Sequence, residues 1–167
     1  ITGTFKLPDT RPISGLPVRL EIRNSVSDWH SVYAGVTGSD GTIKVTGMFG
    51  ENSQLRFVSD GTWERLASQS PFNEVKVVRL ISSSAPSSMR QGVAYEIKGQ
   101  IQPKTANTTV KLLINGTSTT TAVTDAEGKF TIAFTPTKVG IISTKLVIDG
   151  DARFAQTTSS ISQILVR

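Results

Sequence analysis

Hydrophobic and polar residues alternate with a period of two along most of this chain. In Val18-Arg19-Leu20-Glu21-Ile22-Arg23 the apolar side chains point one way and the charged ones the other, the pattern of a half-buried strand. The same period runs through Ile43 and Val45 and through Leu55 and Phe57, and Val75, Val77 and Leu80 mark the last strand of the first repeat. The period returns in Ile97-Gly99-Ile101, Val110-Leu112-Ile114, Phe130-Ile132-Phe134 and Ile142-Thr144-Leu146-Ile148. Further strands are predicted at 4–7, at 29–37 with Val32, Ala34 and Val36 on one face, at 117–124, and at 161–166. Turn signals separate them: Pro8-Asp9, Ser39-Asp40-Gly41, Asp60-Gly61, Asn115-Gly116, Glu127-Gly128 and Asp149-Gly150. No segment carries a helical period, so a parallel sheet with crossover helices is not expected.

The pattern occurs twice. Residues 36–49 read VTGSDGTIKVTGMF and residues 123–136 read VTDAEGKFTIAFTP. The later pair LRFVSDGTW and KLVIDGDARF keeps the same order at a spacing just under ninety residues, too long for a solenoid and right for tandem small domains. The expected fold class is all-β: two tandem Greek-key β-sandwich domains over 1–80 and 93–167, with a small barrel as the structural runner-up. Residues 81–92, ISSSAPSSMRQG, are dense in Ser and interrupted by Pro86, and are expected to form a linker.

Composition narrows the chemistry. Cysteine is absent, which excludes disulfides, thiolate-held zinc and thiol catalysis. The net charge of +5 is spread over residues that alternate with apolar neighbours, so it reads as solvated strand faces and no nucleic-acid footprint is expected. No segment has the length of a membrane-spanning helix. The chain opens on Ile1-Thr2-Gly3, without an initiator Met or a signal peptide, and reads as a fragment or a processed product.

The second repeat resembles bacterial immunoglobulin-like domains of secreted, surface or phage structural proteins. The resemblance rests on Val123-Thr124-Asp125-Ala126-Glu127-Gly128-Lys129-Phe130, similar to the family's T-D-x-x-G-x-F hairpin. It continues in Phe134-Thr135-Pro136, in Val139-Gly140, and in Gly150-Asp151-Ala152-Arg153-Phe154-Ala155. In the first repeat Thr37-Gly38-Ser39-Asp40-Gly41-Thr42 is similar to the hairpin and Trp29 to a Trp that often opens the preceding strand, whereas Thr62-Trp63 departs from the pattern. The resemblance implies tandem β-sandwiches in a spacer, adhesive or ligand-binding role, and it supplies no catalytic residue. The expected setting is extracellular, on a cell or virion surface. Expected partners are a surface protein or glycan, or neighbouring domains of the same polypeptide. A carbohydrate-binding appendage of a polysaccharide-active enzyme and a phage tail or capsid domain are the alternatives.

No catalytic, cofactor or metal site is expected. His30 is the only histidine, and its neighbours Asp28 and Ser31 are adjacent in sequence, which does not assemble a triad. The carboxylates lie mostly at glycine turns, where they bond the local backbone; Asp149-Gly150-Asp151 as Ca²⁺ ligands is the minor reading. Gly38, Gly41 and Gly47 lack the helix and the Lys-Ser/Thr that a phosphate loop needs. Lys98, Lys111 and Lys145 alternate with apolar residues and are expected to face water, not to form isopeptide bonds. Trp63, Trp29 and Tyr33 remain as candidate ligand or interface residues. Core packing is the plainer expectation for Trp29. Trp63, flanked by Thr62, Glu64 and Arg65, is expected to fold back over the end of its sandwich, with an exposed contact role competing.

Overall fold

The computed structural model describes residues 1–167. Its strands are β1 (Thr2–Thr4), β2 (Pro17–Asn24), β3 (His30–Val36), β4 (Thr42–Lys44), β5 (Ser53–Ser59), β6 (Ser68–Gln69), β7 (Asn73–Val75), β8 (Leu80–Ser84), β9 (Ser88–Met89), β10 (Tyr95–Gln102), β11 (Thr109–Ile114), β12 (Thr117–Val123), β13 (Lys129–Phe134), β14 (Gly140–Ile148), β15 (Thr157–Thr158) and β16 (Ser162–Val166). The protein is all-β, and its sheets are open. It divides into two compact units, Ile1–Val77 and Val78–Arg167.

In the second unit one sheet runs β13-β10-β8. The other runs β12-β11-β14-β16-β9, with β15 beside β14. Alternation places Ile97, Ile101, Phe130 and Ile132 on the inner face of the first sheet. Val110, Leu112, Leu146 and Ile148 face them from the second, and all eight form one buried cluster. At one end Met89, Ile142, Ile164 and Val166 form a further cluster, with Tyr95, Ile114 and Phe134 against it. The result is a β-sandwich-like layering.

The first unit repeats this plan with fewer strands. One sheet holds β1 and β4; the other runs β3-β2-β5-β6, with β7 beside β5. Val18, Leu20, Ile43, Leu55 and Phe57 fill the space between. The correspondence extends to single hydrogen bonds. Phe5 N donates to Gly41 O at 2.9 Å, as Ile101 N does to Gly128 O. Leu16 N and Thr108 N each donate to a threonine hydroxyl, of Thr37 and Thr124. Phe57 N and Leu146 N each donate to a serine hydroxyl, of Ser70 and Ser159. Gly41 and Gly128 close matching turns at φ 72° and 73°, a conformation glycine adopts without cost.

Three expectations are corrected. Residues 81–92 are not merely a linker: β8 pairs antiparallel with β10, and β9 pairs parallel with β16. The first strand is Thr2–Thr4 and not 4–7; Lys6 makes only an isolated bridge to Pro12. Val32, Ala34 and Val36 do not share an inner face. β2 and β3 shift register between Leu20 and Glu21, a β-bulge that switches the side-chain sense. Val32 and Val36 are exposed, and Ala34 lies opposite Arg19 on the outer face. β11 and β12 carry the same irregularity between Leu112 and Leu113.

Candidate functional site

The outer face of β2 and β5 is polar because the inner face takes Val18, Leu20, Leu55 and Phe57. Arg19, Glu21 and Arg23 alternate outward on β2. Arg56 stands opposite Glu21 on β5 and donates to its Oε2 from Nε at 2.9 Å and Nη2 at 2.8 Å. Trp29, just before β3, lies under two guanidiniums: Arg56 Cζ is 4.2 Å and Arg23 Cζ 5.0 Å from its ring centroid. Trp29 is half-buried, held by cation–π contacts on the sheet's outer face, and is not a core residue.

Arg19 reaches along the same face to the loop after β5. Its Nη1 and Nη2 donate to Asp60 Oδ2 and Oδ1 at 2.6 and 2.9 Å, a bidentate fork. Beyond Asp60 the chain makes a tight turn: Thr62 N donates to Arg65 O at 2.7 Å and Arg65 N returns to Thr62 O at 3.3 Å. Trp63 and Glu64 form its tip. Trp63 is 93% exposed and Leu66, on the outgoing arm, 94%. Trp63 therefore does not fold back over the sandwich. The matching turn of the second unit explains why. Asp151 N donates to Phe154 O as Thr62 N does to Arg65 O, so Phe154 holds the place of Arg65 and Ala152 that of Trp63. Phe154 is the buried end plug, with Arg79 Cζ 4.2 Å above its ring. The order of residues after Asp-Gly in the two repeats carries that signal.

Tyr33 lies opposite Leu20 and lines a cavity of about 380 Å³ at one end of the first unit, with Ile1, Ile22, Val45, Phe49 and Leu55 among the other walls. Trp29 and Tyr33 thus occupy opposite faces of one sheet, and the three predicted residues are not one site.

Several ionisable residues have local partners. His30 is exposed, with Nδ1 2.9 Å from Asp28 O. Asp149 pairs with Lys111, and Lys98 with Glu96 at 3.0 Å. Asp151 accepts from Arg79 Nη2 at 2.6 Å and from the backbone N–H groups of Arg153 and Phe154 at 2.8 Å. Partial burial pushes its carboxyl upward, but these hydrogen bonds outweigh that and hold it below its ordinary value. Asp40 is lowered by the hydroxyl and N–H of Thr42. No group of three or more His, Asp or Glu side chains is placed to hold a metal ion, and no helix is long and apolar enough to cross a membrane.

No protein-family model matches the chain, and no curated protein matches it. Among solved structures it has a distant likeness to β-sandwich modules. The fibronectin(III)-like modules of Clostridium thermocellum CbhA align at 18% identity and TM-score 0.40, over 99% of this chain and 83% of that one. The ICAM-5 D1–D4 ectodomain fragment aligns at 12% identity and TM-score 0.37, over 99% and 54%. Bacteroides ovatus SGBP-B, solved with a mixed-linkage heptasaccharide, aligns at 13% and 0.33, over all of this chain and 42% of that one.

Proposed function

We propose that this chain is a non-enzymatic adhesion or structural module of a larger extracellular protein, built from two immunoglobulin-like Greek-key sandwiches. On this reading the turn at residues 60–66 is its contact point for a surface protein or glycan. One observation carries the reading: a tryptophan 93% exposed at the tip of a turn whose base is tied down by the Arg19–Asp60 fork. An indole offered on a rigid support binds at low entropic cost, and its face suits a sugar ring or an apolar protein surface. No constellation of nucleophile, base and orienting group accompanies it.

The test compares the chain with Trp63→Ala on a glycan array and on a panel of intact cell surfaces. Saturable binding lost in the variant supports the contact role. Equal binding by both proteins overturns Trp63 as the contact, and no binding by either leaves the chain a spacer.

A further inference from the structure

Each strand of the first unit has a counterpart in the second, but the reverse does not hold. β10 has β13 on one side and β8 on the other, whereas its counterpart β1 has only β4. β16 has β9 beside it in parallel, whereas its counterpart β7 pairs only with β5. Both missing partners, β8 and β9, come from one continuous segment, which crosses from one sheet to the other at Ala85-Pro86-Ser87.

The side chains record the same vacancy. Hydrogen bonding matches Ile1 to Ile97, because Phe5 matches Ile101. Ile97 is 2% exposed and Ile1 is 41%. Ile164 and Val166 are buried beneath Met89, whereas their counterparts Val75 and Val77 are only half-buried. The cavity of about 380 Å³ adjoins this place through Ile1, although neither Val75 nor Val77 lines it. Its wall residue Ile22 matches Ile114, which packs against the Met89 cluster. Gly47, also in the wall, stands at the place of Phe134. At the edge, Ile1 N donates to Val45 O and Val45 N donates to Ile1 O. Antiparallel alternation then turns the N–H and C=O groups of Thr2 and Thr4 away from β4, toward the open side.

We propose that the first unit is a strand acceptor: its occupant is one extended polypeptide segment from outside residues 1–167, built like residues 80–89. The segment pairs with the free edge of β1, crosses between the sheets, runs beside β7, and seats one long apolar side chain in the cavity as Met89 does in the second unit. Backbone pairing supplies the affinity and the seated side chain the register. A second copy of this chain is not the proposed occupant. The proposal rests on neither Trp63 nor the adhesion reading, and its failure leaves both as they stand.

The test adds a synthetic peptide copying residues 78–96 to the full chain and follows amide hydrogen exchange. Thr2 and Thr4 should exchange about tenfold more slowly, because pairing converts open edge amides into ladder amides. A peptide carrying Met89→Asp, or a scrambled one, should not protect them. A second protein carries an extra copy of residues 78–96 directly ahead of Ile1, so that Tyr95-Glu96 precede Ile1 as they precede Ile97; it should show the same protection without added peptide. Unchanged exchange at Thr2 and Thr4 in that fused protein overturns the proposal. So does protection by the scrambled peptide. Protection already present in the untreated chain, with sedimentation giving a dimer, overturns it in favour of a second copy.

Discussion

A β-carbon placed on Gly99 lies 2.3 Å from Cζ of Phe130 and 2.6 Å from the backbone oxygen of Ser82. Gly99 and Phe130 are direct partners across β10 and β13, and the ring covers the glycine. In the first unit Gly3 stands in the same way under Phe57, at 2.7 Å, although that ring comes from the facing sheet. Gly99→Ala has to displace a buried ring and an adjacent strand. It should destabilise the second unit by about 1–3 kcal/mol, the usual cost of overpacking. Denaturant unfolding of the variant measures this, and a midpoint equal to wild type would sink the argument.

Thr124 is the next point of control. Its buried hydroxyl accepts from Thr108 N at 3.0 Å and donates to Thr105 O at 2.6 Å. Thr37 does the same between Leu16 N, at 2.9 Å, and Ile13 O, at 2.5 Å. Each threonine thus fastens the loop before the second strand of its repeat to the turn after the third. Thr124→Val keeps the shape and orphans both backbone groups, so it should cost about 1–3 kcal/mol. Thr124→Ser should recover most of that. If Val and Ser variants unfold alike, the hydroxyl is not what holds the loop.

Arg79 is buried and only partly satisfied. Nη2 donates to Asp151, while Nε and Nη1 have no hydrogen-bond partner. Asp151→Ala strands the guanidinium and should cost about 2 kcal/mol, the scale of a hydrogen bond to a charged group. Removing the charge as well, in Arg79→Met with Asp151→Ala, should restore part of the loss, because a paired set of apolar replacements leaves no buried cation. The pH dependence has a definite sign. The folded-state carboxyl of Asp151 lies below its ordinary value of 3.8. Its contribution is therefore complete above that value and is lost as pH falls through the lower, folded-state value. Acid titration of stability should show a steeper loss for wild type than for Asp151→Ala. Parallel acid limbs would refute the pairing.

Alternation predicted β2, β5, β10, β11, β13 and β14 because each buries every second side chain between two sheets. It was silent on β9, and it gave Leu80, which opens β8 in the second unit, to the last strand of the first repeat. In β8 only Ile81 packs against the core, and Leu80 and the three serines are exposed or outward. That strand is held by its backbone ladder to β10, which leaves no side-chain period to read. Its serines and Pro86 read as a linker for that reason. β3 misled in the opposite way: its alternation suggests one core face, but it is an edge strand in which Ala34 and Val36 lie opposite Arg19 and Pro17 on the outer face, while Val32, at the bulge, borders the cavity. Of the candidate residues, their prominence was legible and their placement was not. What decides Trp63 is that Phe154 takes the plug position in the second unit, while the first has Arg65 there.

The two tryptophans should therefore respond differently to removal. Trp63 touches nothing that its loss would expose, and its turn is held by the backbone bonds between Thr62 and Arg65. Trp63→Ala should leave unfolding stability within about 0.5 kcal/mol of wild type, as surface substitutions do. Trp29 lies against two like-charged guanidiniums, Arg23 and Arg56, on the outer face of β2 and β5. Trp29→Ala should cost about 1–2 kcal/mol from lost cation–π contact and exposed like charges. The cost should grow at low ionic strength, where the two cations are less screened. Chemical denaturation by urea at low and high salt separates the cases, since urea leaves the ionic strength unchanged. A destabilised Trp63→Ala would mean that the turn is part of the fold, and the indole could no longer be assigned to an external partner.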